Sequence, residues 1–158
     1  MHLELEAGNT SRTRAKCALQ ALSRGCIEGP DPQIQRQCFV TMQRLVEQWG
    51  GSDATSLPGF NNYILHEMLP LCFQAPTQPH FDLKDAASHQ LLEAIASLQI
   101  AMLGKLGNEF ITHVWERQLP SLGASAELIN DYSRILADGD VYKLRDYLRQ
   151  QLSAGRGL

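Results

Sequence analysis

The sequence predicts an all-α fold assembled from antiparallel helix pairs, and three observations carry that prediction. Apolar residues recur every three or four positions along most of the chain, which is the spacing of one helix face, while sustained period-two alternation is absent. Glycine, proline and capping residues punctuate the periodic stretches. The stretches between them have helix length rather than strand length.

The first helix is expected from Thr10 to about Arg24, ended by Gly25 and a turn at Gly29-Pro30. Asp31 is placed to cap a second helix whose first position is Pro32, where a missing amide proton costs nothing. Ile34, Cys38, Met42, Leu45, Val46 and Trp49 mark its buried face, and Gly50-Gly51 stops it. A third helix is expected from about Gly59 to Phe73, with Phe60, Ile64, Met68 and Leu71 along one side and Pro70 bending or shortening it. The polar loop from Ala75 to His80 follows.

Asp82 is the expected cap of a fourth helix running from about Leu83 to Leu106. Its apolar residues occupy more than one side, Leu91, Ile95, Leu98 and Met102 together with Leu92, Ile100 and Leu103, so it should lie sandwiched between neighbours. Gly104 and Gly107 close it. Asn108 opens a fifth helix, with Phe110, Ile111, Val114 and Trp115, which Pro120 ends. Ser125 caps a sixth, carrying Leu128, Tyr132 and Ile135, and Asp138-Gly139-Asp140 turns the chain into a seventh with Val141, Leu144, Leu148 and Leu152. Residues 1–9 and 154–158 are expected to be a disordered start and tail, which leaves 10–153 as one structural segment.

Helix pairs begin near Gln33, Leu83 and Ala126, a period of about 40 to 50 residues that suits an α-solenoid of HEAT-type repeats. The prediction is about three such pairs plus the amino-terminal helix; a compact helical bundle is the structural alternative. In a solenoid, Ala18, Leu19 and Leu22 of the first helix would face a missing neighbour.

Composition narrows the function. A chain of 158 residues, 44% hydrophobic and 20% charged, falls in the ordinary globular class. The apolar run from Leu91 to Leu106 is interrupted by Glu93, Gln99 and Lys105, so no membrane span is expected. The opening MHLELEAGNTSRTR carries acids and no apolar core, unlike a secretory signal, which points to the nucleus or cytoplasm. Cys17, Cys26, Cys38 and Cys72 show no CxxC spacing, and the histidines lack an HExxH arrangement, so neither a metal nor another cofactor is expected. There is no nucleophile elbow and no phosphate-binding glycine loop, and Cys72 with His66 or His113 is too weak a pairing to read as catalytic. The chain reads as a binding protein, not an enzyme.

The formal net charge of -3 hides an uneven distribution, with basic ends around an acidic middle. On the last helix Arg145 and Arg149 share one flank and Lys143 occupies the other, with Asp146 placed to pair with Arg149. Arg36 and Arg44 lie on the polar side of the second helix, and Lys84 sits beside the proline-rich loop. These six cations are the candidate contacts for RNA phosphates; the plainer reading is a solvated helix surface. Trp49, Trp115 and Tyr132 fall at core positions of periodic helices and are read as core.

Several stretches carry a resemblance to a known family. RQCFVTMQRLVEQWGG from Arg36 to Gly51, LPLCFQAP from Leu69 to Pro76, FDLKDA from Phe81 to Ala86, LPSL from Leu119 to Leu122 and YKLRDYLRQ from Tyr142 to Gln150 follow one another as they do in the exportin-T family. From Gln33 onward the chain resembles the carboxy-terminal end of these tRNA export receptors, members of the importin-β (karyopherin) superfamily. The resemblance implies a HEAT solenoid that encloses tRNA together with GTP-bound Ran, meets nucleoporins and shuttles between nucleus and cytoplasm. It implies no Ran-contacting residue here, because the family's main Ran-binding repeats are amino-terminal. The chain is accordingly expected to belong to a longer receptor. The rival reading is a protein-binding helical-repeat scaffold without RNA cargo; charge reversal at Arg145 and Arg149 separates the two.

Overall fold

A computed structural model describes the backbone of residues 2–29 and 31–154, and side chains from residue 13 onward within those ranges. Seven helices and no strand occur among the described residues. Met1, Pro30 and residues 155–158 lie outside the described residues, and with them the expected turn residue Pro30 and nearly all of the expected tail.

Helix α1 spans His2–Ile27, beginning before the Thr10 expected from the sequence. Gly25 does not end α1. It lies inside the helix where a Cβ would come within 2.5 Å of Cys38 Sγ, so the missing side chain lets α1 and α2 approach closely.

Helix α2 (Pro32–Trp49) has the expected ends: Asp31 Oδ1 accepts from the Gln33 amide at 2.9 Å, and the Gly50 amide returns to the Val46 carbonyl. Its buried stripe, however, is Gln35, Phe39, Met42 and Val46. Ile34, expected inside, is 57% exposed, whereas Cys38, Leu45 and Trp49 are half-buried. A glutamine displaces the isoleucine because its amide is satisfied at both ends. Gln35 Nε2 donates to the Cys26 carbonyl at 2.9 Å, and Oε1 meets His80 Nε2 at 3.2 Å, which ties α1, α2 and the loop after α3 together.

Helix α3 is a continuous rod in three parts: an α-helical turn Phe60–Tyr63, a π-helical turn Ile64–Met68 and an α-helical end Leu69–Gln74. Pro70 does not end it, and the helix continues to Gln74. The Leu69 amide reaches back five residues to the Ile64 carbonyl, and this widened turn accommodates the proline ring, which has no N–H to give and would otherwise crowd the carbonyl four residues earlier. Helix α5 repeats the device through Asn108–His113, the π-helical Val114–Gln118 and Leu119–Ser121, with the Leu119 amide bonded to Val114. Pro120, expected to end α5, therefore lies inside its last segment.

Helix α4 (Ala86–Leu106) is capped by Asp85, not Asp82. Asp82 holds a turn instead: its carboxylate accepts from the Lys84 amide at 2.9 Å while its own amide donates to Ser88 Oγ at 3.3 Å. Gly104 stays within α4, and Gly107, with φ +58°, terminates it. Ser125 caps α6 (Ala126–Asp138) through the Leu128 amide at 3.2 Å; Asp140 caps α7 (Val141–Ser153) through the Tyr142 amide at 3.0 Å.

The expected sandwiching of α4 is observed. It packs most extensively on α2, and also on α7, α6 and α5. The helices α2, α4 and α7 form one layer; α1, α3, α5 and α6 form the other. Because α1 packs broadly on α2, it belongs to the stack rather than flanking it. Leu19 and Leu22 rest half-buried against the core and Ala18 is exposed. The core runs between the layers through Phe39, Ile64, Leu91, Leu98, Met102, Phe110 and Tyr132, all completely buried. Trp115, expected in this core, is 47% exposed: the widened turn of α5 directs Val114 and Gln118 inward, and the Trp115 indole N–H bonds Ser133 Oγ on α6 instead.

Candidate nucleic-acid interface

The outer face of the α2, α4 and α7 layer carries a shallow groove of about 600 Å³. Arg36, Val40 and Gln43 of α2 line one side, Gln90, Glu93 and Ser97 of α4 the floor, and Val141 and Tyr142 of α7 the other side. Helical spacing places them: 36, 40 and 43 form one stripe of α2, and 90, 93 and 97 one stripe of the broadly buried α4.

Arg145 stands at the edge of this groove and is fully engaged. Its Nη1 pairs with Glu93 Oε2 at 3.2 Å, its Nε and Nη2 reach Asp146 Oδ1 at 3.1 and 3.0 Å, and its guanidinium lies 5.0 Å from the centre of the Tyr142 ring. Desolvation works against its charge, but Asp146 and Glu93 outweigh it and hold the guanidinium above its ordinary pKa. Asp146 thus pairs with Arg145, one residue away, and not with Arg149.

The other candidate cations divide. Arg36 is half-buried in the groove. Arg149 is exposed one turn beyond Arg145, beside a depression formed with Gln150 and Ser153, and Lys143 is exposed on the opposite flank of α7. Arg44 lies on a different stripe of α2, and Lys84 in the turn before α4, both exposed. The structure therefore gathers Arg36, Arg145 and Arg149 toward one surface and leaves Arg44 and Lys84 apart. Sequence reasoning missed Glu93, because its pairing with Arg145 spans 52 positions and leaves no local pattern, and it missed the 59%-exposed Tyr142, although a tyrosine three residues before Arg145 on one helix was a local signal.

Cys72 is buried and bonded to the Met68 carbonyl, and burial pushes its thiol far above the ordinary range, which is the opposite of what a thiolate nucleophile requires. No helix among the described residues is long and apolar enough to cross a membrane.

The exportin-T family model matches residues 10–156. The chain belongs to the exportin-T family. It is 37% identical to exportin-T of Danio rerio over 83% of its own length and 31% identical to that of Homo sapiens over 89%. Exportin-T of Aspergillus terreus is 33% identical over 78% of the chain. The chain spans 13% of the length of the Danio rerio protein and 14% of the other two. No solved structure matches it. Membership makes the chain a relative of nuclear export receptors, and its helical stack is the architecture expected of a HEAT solenoid.

Proposed function

We propose that this chain forms the carboxy-terminal part of a nuclear export receptor that binds tRNA cooperatively with GTP-bound Ran and carries it from nucleus to cytoplasm. Residues 10–153 are its HEAT-type segment. The observation that carries this reading is the family match along nearly the whole described chain. Ran and nucleoporins are engaged through the whole receptor, and no Ran-contacting residue is assigned here.

Within the segment, the cargo-facing cations are Arg149 and Arg36, with Arg145 held in reserve by Glu93 and Asp146 and Lys143 on the opposite flank of α7. Arg44 and Lys84 lie off this surface and contribute less. Phosphate contact by so few cations is weak and sensitive to salt, each contact adding about 0.7–0.9 to the slope of log affinity against log salt. Recognition of shape and backbone fits a groove without a base-reading motif.

The test is a tRNA-binding titration of the full receptor with GTP-loaded Ran, comparing wild type with Arg36→Glu/Arg149→Glu. Weaker binding with a smaller salt slope is expected. Unchanged affinity and slope would favour the protein-binding scaffold, a reading supported by the neutralisation of Arg145 and the net acidity of the chain.

A further inference from the structure

Tyr142, the second residue of α7, is the most exposed of the large hydrophobic side chains among the described residues, and it lines the cation-flanked groove. Core packing does not explain the ring. The start of α7 is already occupied by its own cap, since Asp140 Oδ1 accepts from the Tyr142 and Lys143 amides at 3.0 and 3.3 Å. What this first turn offers the groove is therefore an aromatic surface.

Helical spacing fixes what backs the ring. Arg145, three residues on, holds its guanidinium 5.0 Å from the ring centre, drawn there by the negative face of the aromatic system. That guanidinium is itself clamped, with Nη1 on Glu93 and both Nε and Nη2 on Asp146. The ring thus leans on a fixed support, and a ligand that settles on its uncovered surface has less side-chain freedom to quench. The rest of the groove is polar and unengaged: Arg36 on the α2 side, and Gln90 and Ser97 on the floor, have no hydrogen-bond or ion-pair partner among the described residues. Arg149 lies seven residues beyond Tyr142, two turns along the same stripe of α7.

We propose that Tyr142 is a stacking platform for one unpaired nucleobase of the RNA cargo, flanked by the hydrogen-bonding side chains of Gln90 and Ser97, with Arg36 and Arg149 meeting the neighbouring phosphates. The assignment rests on the RNA reading given above and names how that surface holds its ligand. Every base has a π-face, so an aromatic ring takes one without reading its identity. A nucleotide also brings the phosphates that suit guanidinium groups on either side of the ring, which an unmodified peptide lacks. Stacking neutralises no phosphate, so it adds affinity and leaves the salt slope alone.

The test measures tRNA binding by the full receptor with GTP-loaded Ran across a salt series, for wild type, Tyr142→Ala and Tyr142→Phe, with a blunt-ended, fully paired RNA duplex as the comparison ligand. Tyr142→Ala should weaken tRNA binding roughly 5- to 150-fold at an unchanged salt slope. Tyr142→Phe keeps the ring and should keep wild-type affinity, and neither variant should alter duplex binding. The exposed position lets both variants fold, which circular dichroism checks. Unchanged tRNA affinity in Tyr142→Ala, a loss shared by the duplex, or a loss with a smaller salt slope would overturn the stacking assignment and leave the RNA reading to the Arg36→Glu/Arg149→Glu comparison. Absence of tRNA binding by wild type would overturn both.

Discussion

Arg145 on α7 reaches Glu93 on α4 at 3.2 Å, and this pair places a carboxylate in the floor of the surface where the strongest sequence candidate for phosphate contact stands. Glu93→Gln should therefore strengthen tRNA binding by the full receptor. Arg145 Nη1, freed from Glu93 while Nε and Nη2 stay on Asp146, gains one phosphate contact, adding about 0.7–0.9 to the salt slope. With the Arg145 side chain 17% exposed and that of Glu93 37% exposed, the lost pair should lower stability by no more than about 1 kcal/mol. Filter binding across a salt series checks the first expectation, and unchanged affinity and slope would remove Arg145 from the cargo surface.

Gln35 is the polar residue on which three segments converge. Gln35→Leu leaves the buried Cys26 carbonyl without its donor and His80 without its partner, at a cost of about 1–3 kcal/mol despite the gain in hydrophobicity. Urea denaturation should show a lower midpoint with an unchanged slope. A neutral or stabilising result would mean that the position tolerates the apolar residue its helical phase suggests.

The end of α2 is sterically closed. A Cβ on Gly50 would sit 2.6 Å from the Val46 carbonyl oxygen and 3.2 Å from Ile64 Cδ1, and the nearer atom is backbone that cannot rotate away. Gly50→Ala should cost about 1–3 kcal/mol. In a chain of this size each kcal/mol lowers the melting temperature by about 2–4 °C, so thermal unfolding followed by circular dichroism resolves it.

Helix order and most helix ends were legible because caps are local: Asp31, Ser125 and Asp140 bond amides two or three residues ahead. Prolines were misread because their effect depends on the surrounding turn. Pro70 and Pro120 end helices in isolation, yet a turn widened by one residue absorbs each of them, and it also moves Trp115 out of the core. The displacement of Ile34 by Gln35 was hidden for a related reason: a buried amide is acceptable only where distant partners satisfy it, and the Cys26 carbonyl and His80 come from other segments. The candidate surface was half visible. Its cations stand in the sequence, but the neutralisation of Arg145 by Glu93 exists only once α4 and α7 are packed.

Tyr132 and Gln99 form the other buried polar pair, and they should behave as a unit. The completely buried Tyr132 hydroxyl donates to Gln99 Oε1, while Gln99 Nε2 is buried with no hydrogen-bond partner among the described residues. Tyr132→Phe strands the whole glutamine amide, and Gln99→Met strands the phenol, so each should cost about 1–3 kcal/mol. The double variant removes both polar groups while keeping nearly the same volume, and should recover most of that loss. A double-mutant cycle by urea denaturation measures the coupling. Additive losses would show that Gln99 and Tyr132 stabilise the α4–α6 contact separately, through packing, and that the hydrogen bond between them contributes little.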